Sequence, residues 1–125
     1  MENVEKLRNA RNTLLKLHKS MIDFERELYE RMHGQLTAGQ FLNVLIENED
    51  FGWLRKFSML IVEIDEMFDL KDGISDGMVD ASLAKVVELV GMREDDEYFR
   101  AKYKNAIQQS VDAAGHQSAL KAILE

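Results

Sequence analysis

The chain has 125 residues, enough for one domain with a core that needs no covalent staple. Its 23 acids outnumber its 16 bases, for a net charge of −7, and the bases are dispersed (Lys16 and Lys19, Arg55 and Lys56, Lys102 and Lys104). A phosphate backbone would be repelled by most of such a surface, which argues against a nucleic-acid role. Cysteine is absent, which excludes disulfides, zinc–thiolate sites, iron–sulfur clusters and a thiol nucleophile.

Proline is also absent and only seven glycines occur, so little interrupts a long helix. The first element is expected from about Val4 to Met32. At 100° per residue, Leu7, Leu14, Leu17, Met21, Leu28 and Met32 fall on one stripe, with Lys16, Lys19, Asp23, Glu27 and Glu30 opposite. Gly34 sits where the helix should stop. Thr37 and Gln40 then form a capping-box pattern ahead of a short helix with Phe41, Leu42, Leu45 and Ile46 inward.

Asp50 is the expected N-cap of a third helix to about Phe68, whose apolar face is Trp53, Leu54, Phe57, Leu60, Ile61, Ile64 and Phe68. The Gly- and Asp-rich "DLKDGISDG" is a loop. A fourth helix is expected from about Gly77 to Val90, stopping at Gly91, with Val79, Leu83, Val86 and Val90 in phase. A fifth starts near Asp95 or Asp96 and buries Phe99, Tyr103, Ala106, Ile107 and Ser110. Leu120, Ile123 and Leu124 lie about 100° off that stripe, so a break is expected between Ser110 and Gly115, with Ser110 capping a new helix. The whole reads as one all-α domain over residues 1–125, a bundle of five or six helices with the first, third, fourth and fifth as its main layers.

Neither a signal peptide nor a membrane span is expected. The N-terminal "MENVEKLRNARNTLL" lacks an apolar h-region, and the longest apolar run is Met59 to Val62. A cytoplasmic location is the default expectation.

Three constellations invite chemistry. Glu30 and His33 form a Glu-x-x-His, half of a di-iron motif. The other half cannot be assembled, because Leu15 and Ala113 stand three residues before His18 and His116. Glu30 also falls about 160° from the apolar stripe, and His33 reads as a last-turn residue at the helix's negative end. The loop from Asp69 fails as an EF-hand, because Lys71 and Gly73 stand where ligands belong.

The second constellation is Glu27-x-x-Glu30 with Glu47-x-x-Asp50 further along the chain. It resembles the signature of the all-α nucleoside triphosphate pyrophosphohydrolases. That resemblance implies Mg²⁺ held by these acids against a triphosphate, and requires Glu27, Glu30 and Glu47 to face one cleft.

The third constellation is interior. Glu25 lies near the centre of the apolar stripe between Met21 and Leu28, with His18 two turns earlier on the same face. Asp65 flanks Leu54 and Ile61 on the third helix. A buried charge must be paired or neutralised, so His18, Glu25 and Asp65 are expected to meet polar groups of a facing helix, with Arg11 or Arg26 as cations. Such a cluster reads as a structural network fixing helix register, or as a pH-sensitive or ligand-binding site. No catalytic residue, cofactor or metal is expected from any spacing.

Leu17-His18-Lys19, Glu25-Arg26, Tyr29, His33-Gly34, Trp53-Leu54 and Asp65-Glu66 together resemble a family of small all-helical bacterial proteins of unknown function, over about Leu17 to Phe68. That resemblance implies a cytoplasmic bacterial origin and no activity. The leading expectation is a non-catalytic interaction or regulatory protein, a homodimer through apolar residues off the core faces (Leu15, Met59, Leu89). The alternatives are a metal-binding or enzymatic bundle using His18, Glu25 and Asp65, and, behind it, the Mg²⁺-dependent hydrolase.

Overall fold

The structure is a computed structural model that describes residues 2–93 and 95–125. Among these residues six α-helices succeed one another: α1 (Glu2–His33), α2 (Ala38–Glu47), α3 (Arg55–Phe68), α4 (Asp76–Val90), α5 (Glu97–Gln109) and α6 (Val111–Leu124). A 3₁₀ segment, Glu49–Leu54, leads into α3. No strand occurs among the described residues, and the architecture is an all-α bundle.

The boundaries reflect local chemistry. Gly34 ends α1 in the left-handed region (φ 87°), and its N–H bonds back to the Glu30 carbonyl. Thr37 and Gln40 close the expected capping box. The third helical stretch starts differently from expectation: Asn48, not Asp50, is the cap, its side chain accepting from the Asp50 N–H. The chain then winds through a 3₁₀ turn that buries Phe51, Trp53 and Leu54 before α3 begins at Arg55. Ser75 caps α4 and Asp96 caps α5 through bonds to Met78 and Phe99. Gly91 comes after the last residue of α4 with ordinary helical φ, and the left-handed turn falls on Met92 instead (φ 56°). The break expected between Ser110 and Gly115 lies at Ser110, which ends α5 and caps α6 by accepting from Ala113.

α1 is the spine. It spans 32 residues, about 48 Å at 1.5 Å per residue. α6 packs along it more extensively than any other helix. The two are antiparallel, since Lys6 Nζ donates to the Glu125 carbonyl at 3.3 Å. α6 is therefore a main layer, alongside α3, α4 and α5. Asn3 ties the start of α1 to Asp80 of α4 at 3.0 Å.

The core joins Leu7, Leu14, Leu17 and Met21 of α1 to Phe57 and Ile64 of α3, Val79 and Val86 of α4, Phe99 and Tyr103 of α5, and Leu120 of α6. An aromatic group sits at its centre. Phe57 and Tyr103 meet edge-to-face at 5.1 Å, and Phe99 and Trp53 complete the set. Such pairings add to simple area burial.

Apolar assignments change at Leu28, Met32 and Leu89, and on α2 at Leu42 and Ile46. Leu28 and Met32 share the stripe of α1 yet are exposed, Met32 at 81 %, because the helix outruns the elements that bury the stripe as far as Glu25. Leu89 is buried rather than exposed. The buried face of α4 is rotated toward Ser82, whose hydroxyl lies 3.6 Å from the Met67 sulfur of α3, and that rotation carries Leu89 inward.

Candidate functional site

Glu25 is the polar residue the core stripe turns inward. It is 5 % exposed, one turn beyond Met21. The side chain that meets it comes from α5: Lys102 Nζ lies 3.7 Å from Glu25 Oε2. Burial pushes the Glu25 carboxyl above the usual carboxylate range; Lys102 pulls it back, and Asp50 pushes it up further. Around the pair, the Tyr98 hydroxyl donates to the Asp50 carbonyl at 2.9 Å, and the Lys102 ammonium stands 5.9 Å from the Tyr98 ring centre. The α5 helix is thereby fastened to the 3₁₀ segment across the buried carboxylate.

His18 lies on the same stripe two turns earlier, with its ring stacked 6.4 Å from that of Phe57. Burial lowers its pKa, so the imidazole is neutral at pH 7. Asp65 takes a third partner. Arg11 grips it with two hydrogen bonds of 2.8 Å, from Nε and Nη2, and the guanidinium holds the Asp65 carboxyl below its usual range. The three residues thus engage separate partners: Lys102, Phe57 and Arg11. Of the two cations expected near them, Arg11 pairs with Asp65, and Arg26 turns away to Glu30. Among the described residues, no group of three or more metal-ligating side chains comes together.

The other acids have structural engagements. Glu30 is half-buried rather than fully outward. Its Oε2 accepts from the Leu36 N–H at 2.7 Å, while Arg26 Nη2 donates to the Leu36 carbonyl at 2.8 Å and Nε reaches Glu30 Oε1 at 3.4 Å. Arginine and glutamate together clamp the turn between α1 and α2. His33 packs against Tyr29, with ring centres 4.2 Å apart. Glu27 pairs with Arg31 at 2.6 Å. An open groove on this face is lined by Asp23, Arg26, Glu27, Glu30, Arg31 and Gln35. Glu47 and Asp50 lie outside it, so the acids of the hydrolase-like pattern do not share that groove.

Two features escape sequence reasoning. Trp53 Nε1 and the Tyr103 hydroxyl are buried with no hydrogen-bond partner among the described protein atoms. Tyr103 is set against Gln117, itself buried, without completing a hydrogen bond. Burial drives the hydroxyl far above the ordinary tyrosine range, and the Gln117 contact offsets this only in part. Neither orphan is signalled by spacing, because both side chains sit at ordinary core positions.

The second feature is two short apolar rows in solvent, Leu42 and Ile46 on α2 and Met59 and Val62 on α3, with Met59 69 % exposed. Arg55 Nη2, from the first residue of α3, binds the Ile46 carbonyl at 2.6 Å and ties the two helices together. Clefts of about 390 and 370 Å³ flank Met59. One is walled by Lys56, Leu60, Lys85 and Leu89, the other by Ser58, Val62 and Glu66, and both share Glu63. Helical phase places Met59 off the core, as found. It places Leu42 and Ile46 inward, whereas both are exposed, because α2 turns only Phe41 fully into the core.

No protein-family model matches this chain, and no curated protein or solved structure does either. Among the described residues, no helix is long and apolar enough to cross a membrane.

Proposed function

We propose that this chain is a cytoplasmic, non-catalytic interaction protein, a helical scaffold that presents apolar side chains to other proteins. The observation that carries the reading is the two rows on α2 and α3. Single exposed hydrophobes are ordinary, but Met59 and Val62 stand one turn apart on the outer face of α3, between two clefts, and Arg55 ties α3 to Ile46. Exposed apolar side chains beside clefts walled by charges of both signs (Lys56, Lys85, Glu63, Glu66, Glu88) have the anatomy of a docking surface for an amphipathic helix. The acidic balance and scattered bases favour a protein over a nucleic acid.

The test places a photo-crosslinking amino acid at Ser58 and irradiates cells producing the full chain. The reading expects a discrete adduct whose purified partner binds the wild-type chain and loses at least tenfold in affinity for Met59→Glu/Val62→Glu. Absence of any discrete adduct, or binding indifferent to the double substitution, contradicts it. Both positions are exposed, so the variant should keep its helicity and melting temperature, which circular dichroism checks.

A further inference from the structure

The apolar stripe of α1 does not end where its cover ends. Leu7, Leu14, Met21 and Leu28 recur every seven residues, and Met32 comes one turn later. The first three are fully buried, while Leu28 and Met32 are 38 % and 81 % exposed. The reason is length. α6 runs back along α1 from the Lys6–Glu125 contact, and its 14 residues cover about 21 Å of a 48 Å helix. α5 reaches α1 through Lys102 at Glu25. On the adjoining flank, Tyr29 is covered by Phe41 and Phe51, whose ring centres lie 6.5 and 6.0 Å away. What stays open is the stripe itself and the flank carrying Glu27 and Arg31.

The chain exposes 7783 Å², whereas a compact monomer of 14.4 kDa exposes about 6,800 Å². The surplus, about 900 Å², is spread over the whole surface, and Leu28 and Met32 are among the exposed side chains that make it.

We propose that the last turns of α1 pack antiparallel against the same turns of a second copy of this chain. An antiparallel pair related by a two-fold axis sets like flanks together. Leu28 then meets Met32 of the second copy, and Glu27 of each lies beside Arg31 of the other. Parallel packing would press this open flank onto the one already occupied by Lys102 and Tyr29. Charge and sterics therefore both select the antiparallel arrangement, which is isologous and closes at two copies. The inference rests on the reading of the chain as an interaction protein but uses a different surface, and leaves the α2 and α3 rows free in both copies.

Sedimentation velocity of the purified full chain, over a hundredfold range of concentration, tests it. Wild type should approach twice 14.4 kDa. Leu28→Glu/Met32→Glu should sediment as a monomer with unchanged helicity, and Met59→Glu/Val62→Glu should remain a dimer. Glu27→Arg should weaken the dimer severalfold, and adding Arg31→Glu should restore it. A monomeric wild type, or a dimer indifferent to Leu28→Glu/Met32→Glu, overturns the proposal. A dimer lost through Met59→Glu/Val62→Glu also overturns it, by placing the contact on α3. A monomeric wild type that still gives the Ser58 adduct removes the dimer and leaves the proposed function standing.

Discussion

Lys102 of α5 stands 3.7 Å from the carboxylate of Glu25, a residue 5 % exposed on the core stripe of α1. The contact fixes where α5 crosses the long helix and marks the level beyond which the apolar stripe of that helix opens to solvent. It is an ion pair formed at the cost of desolvating a carboxylate, and such pairs stabilise little compared with well-packed hydrophobes.

Glu25→Leu is therefore expected to stabilise the fold at pH 7 by about 1 kcal/mol, with Lys102, which keeps partial exposure, extending to water. The sign of the pH effect is definite. Burial raises the folded-state pKa of Glu25 above its unfolded value, so the native state holds that proton more tightly. The group's contribution is most favourable below the ordinary glutamate pKa and declines as pH rises through the raised one. Urea denaturation at several pH values should show the advantage of Glu25→Leu growing from the ordinary glutamate pKa, about 4.3, toward neutrality. A variant less stable than wild type at pH 7 would contradict this.

His18 pulls the other way. Its folded-state pKa is depressed by burial beside Phe57, so the unfolded chain binds the proton more readily. The stability it contributes is present above the unfolded value near 6.5 and falls away as pH drops toward the depressed folded value. An NMR titration of the imidazole should give a pKa below the ordinary histidine value, and His18→Gln should flatten the loss of stability across that window. A normal His18 titration would refute the assignment.

The fold is largely legible in the sequence, for a physical reason. Helices announce themselves through periodicity and caps, and Thr37–Gln40, Asp96 and Ser110 all act where those signals place them. What periodicity cannot supply is how far each helix is covered. Leu28 and Met32 have the phase of core residues, but the cover of the stripe thins at Leu28 and has gone by Met32. The interior cluster is legible only in part. Phase identifies Glu25 as buried and His18 as close to it in environment, but partner choice depends on the crossing of distant helices. That crossing delivers Lys102 to Glu25, and Arg11 to Asp65.

The Arg26–Glu30 clamp explains the glutamate of the Glu-x-x-His without chemistry. Glu30→Ala would leave the partly buried Leu36 N–H without its acceptor and release Arg26. A loss of about 1–2 kcal/mol is expected. Glu27→Ala breaks only an exposed pair with Arg31 and should cost about 0.5 kcal/mol or less. Equilibrium denaturation separates the two, and equal costs would argue against the clamp.

Ser110 serves two helices at once, as the residue that ends α5 and the side chain that caps α6. Ser110→Ala should cost about 1 kcal/mol, while Ser110→Asp should retain most of the stability because a carboxylate also caps a helix N-terminus. Hydrogen exchange should localise the loss in the alanine variant to the first turn of α6. Protection unchanged there would contradict the assignment.

Assembly through the open stripe at the end of α1 is most directly measured by a single distance. The chain has no cysteine, so Lys19→Cys, on the exposed face of α1, carries one spin label per copy. Two α1 helices crossing antiparallel near Glu30 put those labels about 33 Å apart along the helix axis and, because both face away from the seam, about 20 Å apart across it, or about 40 Å in all. Double electron–electron resonance should return one distance distribution centred near that value, abolished by Leu28→Glu/Met32→Glu. No inter-chain distance, or one of about 20–25 Å as outward-facing labels on side-by-side parallel helices would give, would contradict the account.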